Sequence, residues 1–251
     1  MVIPSHNPET QIVATAEELG LAAALQFVCR AKEAVQEKGM FTAALSGGST
    51  PRSMYSRLAC DAELYKQLSW DSVHFFWSDE RHVPPDHADS NFRMAYEVML
   101  SKLPVPPENV HRVKGEYEDA DGAATEYERT LCDFFSLRPG KFPRFDLVLL
   151  GMGADGHTAS LFPGSDAVRE RQRLVVANWV ETFNAYRITL TLSVLNSAAE
   201  VIFLVGGEDK AGMLRTVLCG EYQPERYPAQ LIRPSSGNLL WLVDKPAARL
   251  L

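Results

Sequence analysis

Asp155 and His157 stand two residues apart in the glycine-rich segment "GMGADGHTASLFPG". A histidine titrates near neutral pH and suits the role of general base, and a neighbouring carboxylate can orient its ring. A zinc site would need further ligands at local spacing, and a serine hydrolase would need a G-x-S-x-G elbow; the segment has neither. The pair therefore predicts proton transfer by His157 and Asp155. The alternative interpretation is a surface-loop histidine that caps the next helix.

The segment "LSGGSTP" (45–51) has almost no bulky side chains. Gly47 and Gly48 allow a ligand to approach the backbone closely, and Ser49 or Thr50 is expected to cap the following helix. Free N–H groups at the start of a helix, together with hydroxyl donors, favour an anion such as phosphate. The spacing is not that of a nucleotide P-loop, and no G-x-G-x-x-G is present. The segment predicts an anion cradle; the alternative is an ordinary capped turn.

The segment "SDERHVPPDHADSN" (78–91) supplies charged groups for a polar substrate. Arg81 could clamp a phosphate or a carboxylate-like oxygen, and Asp79 could accept sugar hydroxyls or brace the arginine. Asn91 is expected to cap the next helix. Two further cations lie near predicted strand ends, Arg187 and Lys210. Each of the three cations alone could be a plain surface residue, but together they would give an acidic protein a positive crevice.

The elements that must position these residues alternate along the chain. Apolar runs predict strands at 41–46, 72–80, 145–153, 186–192, 200–207 and 238–244, and 3.6-residue periodicity predicts helices at 15–38, 51–68, 91–103, 120–137 and 209–218. Strands that are apolar throughout and alternate with helices indicate an α/β fold with a doubly wound, mostly parallel sheet covered on both faces. The carboxyl ends of such strands meet at one edge. The segments "SGGST", "SDER" and "GMGADGH" are therefore expected to converge there.

Composition limits the remaining possibilities. A chain of 251 residues that is 46% hydrophobic can bury a large core, and we expect one domain over residues 1–251. The net charge of −7 argues against nucleic acid, and no apolar stretch is long enough for a membrane span. The four cysteines are scattered singly, and the opening "MVIPSHNPETQIV" lacks a secretory signal pattern. A cytoplasmic protein is expected.

The segments "LSGGSTP", "WSDERHVP", "DSN", "GMGADGHTASLFPG" and "RITLT", in this order, resemble the glucosamine-6-phosphate isomerase/6-phosphogluconolactonase family from about residue 40 to 215. The resemblance implies a Rossmann-like sheet and hydrolysis of a phosphorylated sugar lactone without metal or cofactor. It also implies roles. The residues of the glycine turn, with Lys210 and Arg187, would hold the phosphate. His157, oriented by Asp155, would activate water, and Arg81 would stabilise the oxyanion.

Two other functions remain open. The deaminase branch carries a glutamate five residues after the histidine, where this chain has Phe162, and typically "DEY" where this chain has "DER". Both differences favour the lactonase branch. A sugar-phosphate sensor would carry a DNA-binding helix-turn-helix, whereas only about 40 residues, mostly one helix, precede "LSGGSTP". We expect a monomer or weak dimer.

Overall fold

The computed structural model describes residues 9–251, which contain nine strands and eight α-helices. The strands are β1 (Glu9–Val13), β2 (Phe41–Leu45), β3 (Val73–Trp77), β4 (Asp79–Arg81), β5 (Leu147–Leu150), β6 (Val175–Val180), β7 (Ala185–Leu190), β8 (Glu200–Val205) and β9 (Asn238–Asp244). The α-helices are α1 (Ala16–Lys38), α2 (Ser49–Cys60), α3 (Ala62–Tyr65), α4 (Asn91–Val98), α5 (Ala120–Phe134), α6 (Leu192–Leu195), α7 (Ala211–Cys219) and α8 (Lys245–Ala248). The expectation of no secretory signal depends partly on residues 1–8, which lie outside the described residues.

Six strands form one parallel sheet in the order β1-β9-β8-β5-β2-β3. Every residue of β2, β5 and β8 is buried, and apart from Thr42 and Glu200 every one of these residues is apolar. A parallel sheet that is covered on both faces requires this pattern. The predicted α/β fold with a mostly parallel sheet is confirmed.

Helix α1 shows how periodicity in the sequence becomes packing. Its predicted inward face is buried at every position: Leu19, Ala23, Phe27, Ala31 and Ala34. Thr15 caps the helix by accepting a hydrogen bond from the Glu18 amide at 3.2 Å. Within residues 9–251, no helix is both long enough and apolar enough to cross a membrane.

A second, antiparallel sheet of three strands, in the order β4-β7-β6, was not predicted. The sequence predicted one strand over 72–80, but the chain turns at the buried Ser78. The Ser78 amide donates to the Leu45 carbonyl at 2.7 Å, and residues 79–81 then pair with β7. The predicted strand over 186–192 ends earlier, at Leu190, and belongs to this smaller sheet. This sheet lies beside the carboxyl edge of the large one and carries Asp79 and Arg81 to it.

Candidate active site

The three predicted turns meet at one cavity of about 320 Å³. Its lining comes from the segments that follow β2, β5 and β8, from β4 and from the start of α4: Ser46, Gly47, Gly48, Ser49, Thr50, Pro51, Asp79, Arg81, Asn91, Gly151, Met152, Gly153, His157, Ala159, Leu204, Val205, Gly206 and Lys210. Asp155 touches the cavity through His157, whereas Arg187 is not part of the lining. Convergence at the carboxyl edge of the sheet therefore holds for the turns that the sequence singled out.

The glycine turn leads directly into helix α2. The prediction that Ser49 or Thr50 caps this helix is wrong: Gly48, with φ of 106°, is the N-cap, and no side chain caps the first turn. Among residues 9–251, no hydrogen bond is donated by the amides of Gly48, Ser49 or Thr50. The hydroxyl groups of Ser49 and Thr50 therefore do not cap the helix. The unpaired amide groups at the start of α2 lie at the cavity.

Asn91 is a cavity residue that the sequence analysis assigned to a different role. It was expected to cap helix α4, but Ser90 is the N-cap and accepts from the Arg93 amide at 3.1 Å. The Asn91 side chain instead donates to the Asp79 carbonyl at 2.9 Å. It also fills the space beside Gly47, where an added Cβ would lie 2.0 Å from Asn91 Oδ1. The cap pattern "DSN" concealed this second role, because its serine and its asparagine are both good caps.

The buried carboxylate of Glu80 holds the start of α4 against β4. It accepts hydrogen bonds from the amides of Arg81, Asn91 and Phe92 at 2.7–2.8 Å and from the Ser90 hydroxyl at 3.1 Å. Burial raises the pKa of Glu80, and the three amide donors oppose that rise. Glu80 thus fixes the relative positions of Arg81 and Asn91, two groups that line the cavity.

Asp79 and Arg81 both line the cavity but do not pair with each other. Asp79 is buried and accepts from the Ser160 hydroxyl at 2.7 Å. Arg81 donates to the Asp89 carbonyl, and the ion pairs of residues 9–251 include none between it and Asp79. Of the two roles predicted for Asp79, the one in which its carboxylate braces Arg81 does not occur in this structure. Its position at the cavity remains compatible with accepting substrate hydroxyls.

His157 and Asp155 form a close pair at the cavity wall. The His157 Nδ1 atom lies 2.5 Å from Asp155 Oδ1, which also accepts from the His157 amide at 3.1 Å. Burial acts to raise the pKa of Asp155, but the hydrogen bonds and the charge of His157 outweigh burial and hold it below its usual value. An ionised Asp155 places the proton on Nδ1, which leaves the Nε2 lone pair free to accept another proton.

The two remaining predicted cations occupy different places. Lys210 follows β8 and lines the cavity, with its amine 3.4 Å from the carboxylate of Asp209. Arg187 lies in β7, directly opposite Arg81, and its guanidinium stacks over the Phe183 ring at 5.2 Å. Burial and then the charge of Arg81 lower the pKa of Arg187. Arg187 is therefore the cross-strand neighbour of Arg81 in the small sheet, and it is not part of the cavity lining.

No group of three or more histidine, cysteine, aspartate or glutamate side chains within residues 9–251 is arranged to hold a metal ion.

Comparison with known proteins identifies relatives that match most of the chain. The model of the family described as glucosamine-6-phosphate isomerases/6-phosphogluconolactonase matches residues 14–241. The chain belongs to this family. A 6-phosphogluconolactonase from Nostoc sp. is 43% identical over 85% of this chain and 86% of its own, and one from Synechocystis sp. is 39% identical over 96% and 97%. The solved 6-phosphogluconolactonase from Trypanosoma cruzi superposes with a TM-score of 0.85, at 29% identity over 97% of both chains.

Proposed function

We propose that this enzyme hydrolyses 6-phospho-D-glucono-1,5-lactone to 6-phospho-D-gluconate. One observation carries the proposal: the His157–Asp155 pair and the unpaired amides at the start of α2 line the same cavity of about 320 Å³. A base for water and a cradle for phosphate are the two elements that a phosphorylated lactone requires. The named relatives, all 6-phosphogluconolactonases, support the same substrate. The proposal includes a single catalytic domain over residues 1–251 that works in the cytoplasm.

The phosphate is held at the glycine turn. The amides of Gly48, Ser49 and Thr50 and the two hydroxyls supply donors at the positive end of the helix α2 dipole. Lys210 adds a cation from the segment after β8. Arg187, the cross-strand neighbour of Arg81, adds positive potential beside the cavity.

The chemical step begins with water at C1 of the lactone. His157 Nε2 takes a proton from that water as its oxygen forms a bond to C1, and the carbonyl electrons move onto the carbonyl oxygen. Asp155 stabilises the imidazolium that results. When the tetrahedral intermediate collapses, the bond from C1 to the ring oxygen breaks. His157 then returns its proton to that oxygen, which becomes the hydroxyl of the open product.

The oxyanion of the intermediate needs donors that are in place before the reaction. Arg81 is the candidate cation, because β4 and the carbonyl of Asp89 fix its side chain at the cavity. The backbone N–H groups of the segment that carries His157 are the other candidates. Asp79, buried and held by Ser160, is the acceptor proposed for a substrate hydroxyl.

The deaminase alternative lacks a group that it needs. The position of the family's relay glutamate is Phe162, whose ring lies 4.1 Å from the His157 ring between centroids. A phenyl ring cannot carry a proton between His157 and an amine. The contact of Phe162 with His157 therefore disfavours ring opening by the deaminase route.

The test follows acid release from freshly prepared 6-phosphogluconolactone, with a blank without enzyme subtracted because lactones open unaided. A positioned base contributes about 10²–10⁴-fold, so His157→Ala should lower kcat by a factor in that range with KM little changed. The His111→Phe variant removes a histidine outside the cavity lining and should keep normal turnover. Near-normal turnover by His157→Ala would refute the assigned base. Ammonia release from glucosamine 6-phosphate would indicate the deaminase, and binding without turnover would indicate a sensor.

A further inference from the structure

The imidazole of His157 occupies space that the sequence keeps clear. At Gly153 an added Cβ would lie 2.1 Å from His157 Nδ1 and 2.2 Å from its Cε1. Real Cβ atoms do not approach other atoms this closely, so a glycine is required for the ring to sit where it does. The Gly153 amide also donates to the His157 carbonyl at 2.9 Å. The backbone of Gly153 therefore limits the movement of the His157 ring on that side.

Phe162 contacts the same imidazole. Its ring is tilted by 31° to that of His157, with the centroids 4.1 Å apart. The tight turn between them makes this contact possible: Thr158 pairs with Leu161, and the Thr158 hydroxyl donates to the Gly151 carbonyl at 2.9 Å. Ala159 in this turn has φ of 47°, a left-handed backbone conformation that is unfavourable for a residue with a side chain. The turn thus adopts an unfavourable conformation that brings Phe162 back onto the base.

Phe162 is itself supported from the small sheet. The ring of Phe183 lies at the tip of the β6–β7 hairpin, 6.0 Å from Phe162 between centroids and at 68° to it. The guanidinium of Arg187 covers Phe183 at 5.2 Å. A continuous row of contacts therefore runs from β7 through two aromatic rings to the imidazole. Arg187 is the member of this row that lies in β7.

We propose that Phe162 is a positioning residue for the general base, supported by Phe183. Asp155 holds only one edge of the His157 ring, and its own side chain is 49% exposed, so this hydrogen bond alone leaves the ring able to rock. The Phe162 ring limits that motion and keeps Nε2 directed at the position of the attacking water. A misplacement of about 1 Å can reduce a rate by about 10²-fold. The inference rests on the proposed function, because it assigns a role within that reaction.

The kinetic test compares two substitutions at one position. Phe162→Leu removes the flat ring and should lower kcat by about 10- to 100-fold while KM changes by less than about threefold, because the phosphate cradle is untouched. Phe162→Tyr keeps the ring and should retain kcat within about threefold. Phe183→Leu should cause a smaller loss than Phe162→Leu. The matched control is Tyr222→Leu, which removes an exposed ring covered by Arg233 at 4.4 Å and should leave both constants unchanged.

A measurement without substrate separates positioning from general loss of structure. With 13C-labelled histidine, the Cε1–H signal of His157 can be assigned among six histidines by its loss in His157→Ala. The ring current of Phe162 should displace this signal, and the displacement should vanish in Phe162→Leu and persist in Phe162→Tyr. A folded Phe162→Leu with normal kcat, or an unmoved His157 signal, would overturn the inference. If the wild-type chain has no lactonase activity, the proposed function fails, and the signal still shows whether the Phe162 ring lies against His157.

Discussion

At the scale of single residues, the site depends on which side chains are left out as much as on those present. Gly153 leaves the space that the His157 ring fills, and Gly47 leaves the space filled by Asn91. The catalytic candidates could be predicted because a histidine and an aspartate in a glycine-rich turn are informative by type. The role of Asn91 could not, because it depends on the Asp79 carbonyl, a contact made only when β4 joins the second sheet.

Asp155→Asn tests the tautomer that the proposed mechanism requires. The Asp155 carboxylate, whose pKa is held low, accepts a hydrogen bond from the protonated Nδ1 of His157. The Nε2 atom is then left without a proton. An amide that donates to Nδ1 would move the proton to Nε2 and remove the lone pair that accepts from water. We expect kcat to fall on the order of 10²-fold with little change in KM. Steady-state kinetics should show no such loss for Asp166→Asn, which changes a fully exposed aspartate in the same way.

At the scale of elements, the large parallel sheet could be predicted from the sequence, whereas the small antiparallel sheet could not. Strands β2, β5 and β8 are buried throughout and are apolar except at Thr42 and Glu200, so their positions could be predicted. Strand β4 consists of three charged residues, Asp79–Arg81, and no hydrophobic pattern marks it. Its place is set by distant partners, namely β7 and the Leu45 carbonyl that receives the Ser78 amide. Such pairing is a property of the folded chain rather than of a local segment.

Glu80→Ala tests how β4 and α4 are held together. The substitution leaves the amides of Arg81, Asn91 and Phe92 without their acceptor in a buried place. Since an unsatisfied buried donor costs about 1–3 kcal/mol, we expect the free energy of unfolding to fall by about 2–4 kcal/mol. Urea denaturation measures this loss. The matched control is Glu97→Ala, at the other end of α4, where only an exposed ion pair with Arg93 is removed and the free energy of unfolding should change far less. Equal effects of the two substitutions would show that Glu80 does not anchor the helix.

At the scale of the whole molecule, the histidine proposed as the base is separate from the histidines that contribute to stability. His157 lies at the carboxyl edge of the sheet, whereas His74 belongs to the outermost strand, β3, and packs against His111 with ring nitrogens 3.3 Å apart. The His111 ring also stacks on Phe76 at 4.4 Å. Acidification should therefore affect the fold through His74 and His111, which lie outside the cavity lining.

The His111 site gives the fold a defined sensitivity to acid. Burial, and then the charge of His74, lower the pKa of His111 to about 4 from 6.5, so the folded protein resists a proton that the unfolded chain accepts. Stability is therefore intact above pH 6.5 and is lost as the pH falls from about 6.5 towards 4. Because His111 is partly exposed, this loss should be at most about 2 kcal/mol between pH 7 and pH 5. In His111→Phe the urea-unfolding free energy should fall less over that interval. Both proteins share the same carboxylates, so the difference between their unfolding free energies excludes the contribution of those groups. Equal losses of unfolding free energy in the two proteins would contradict the prediction. They would mean that His111 takes up its proton as readily in the folded protein as in the unfolded chain.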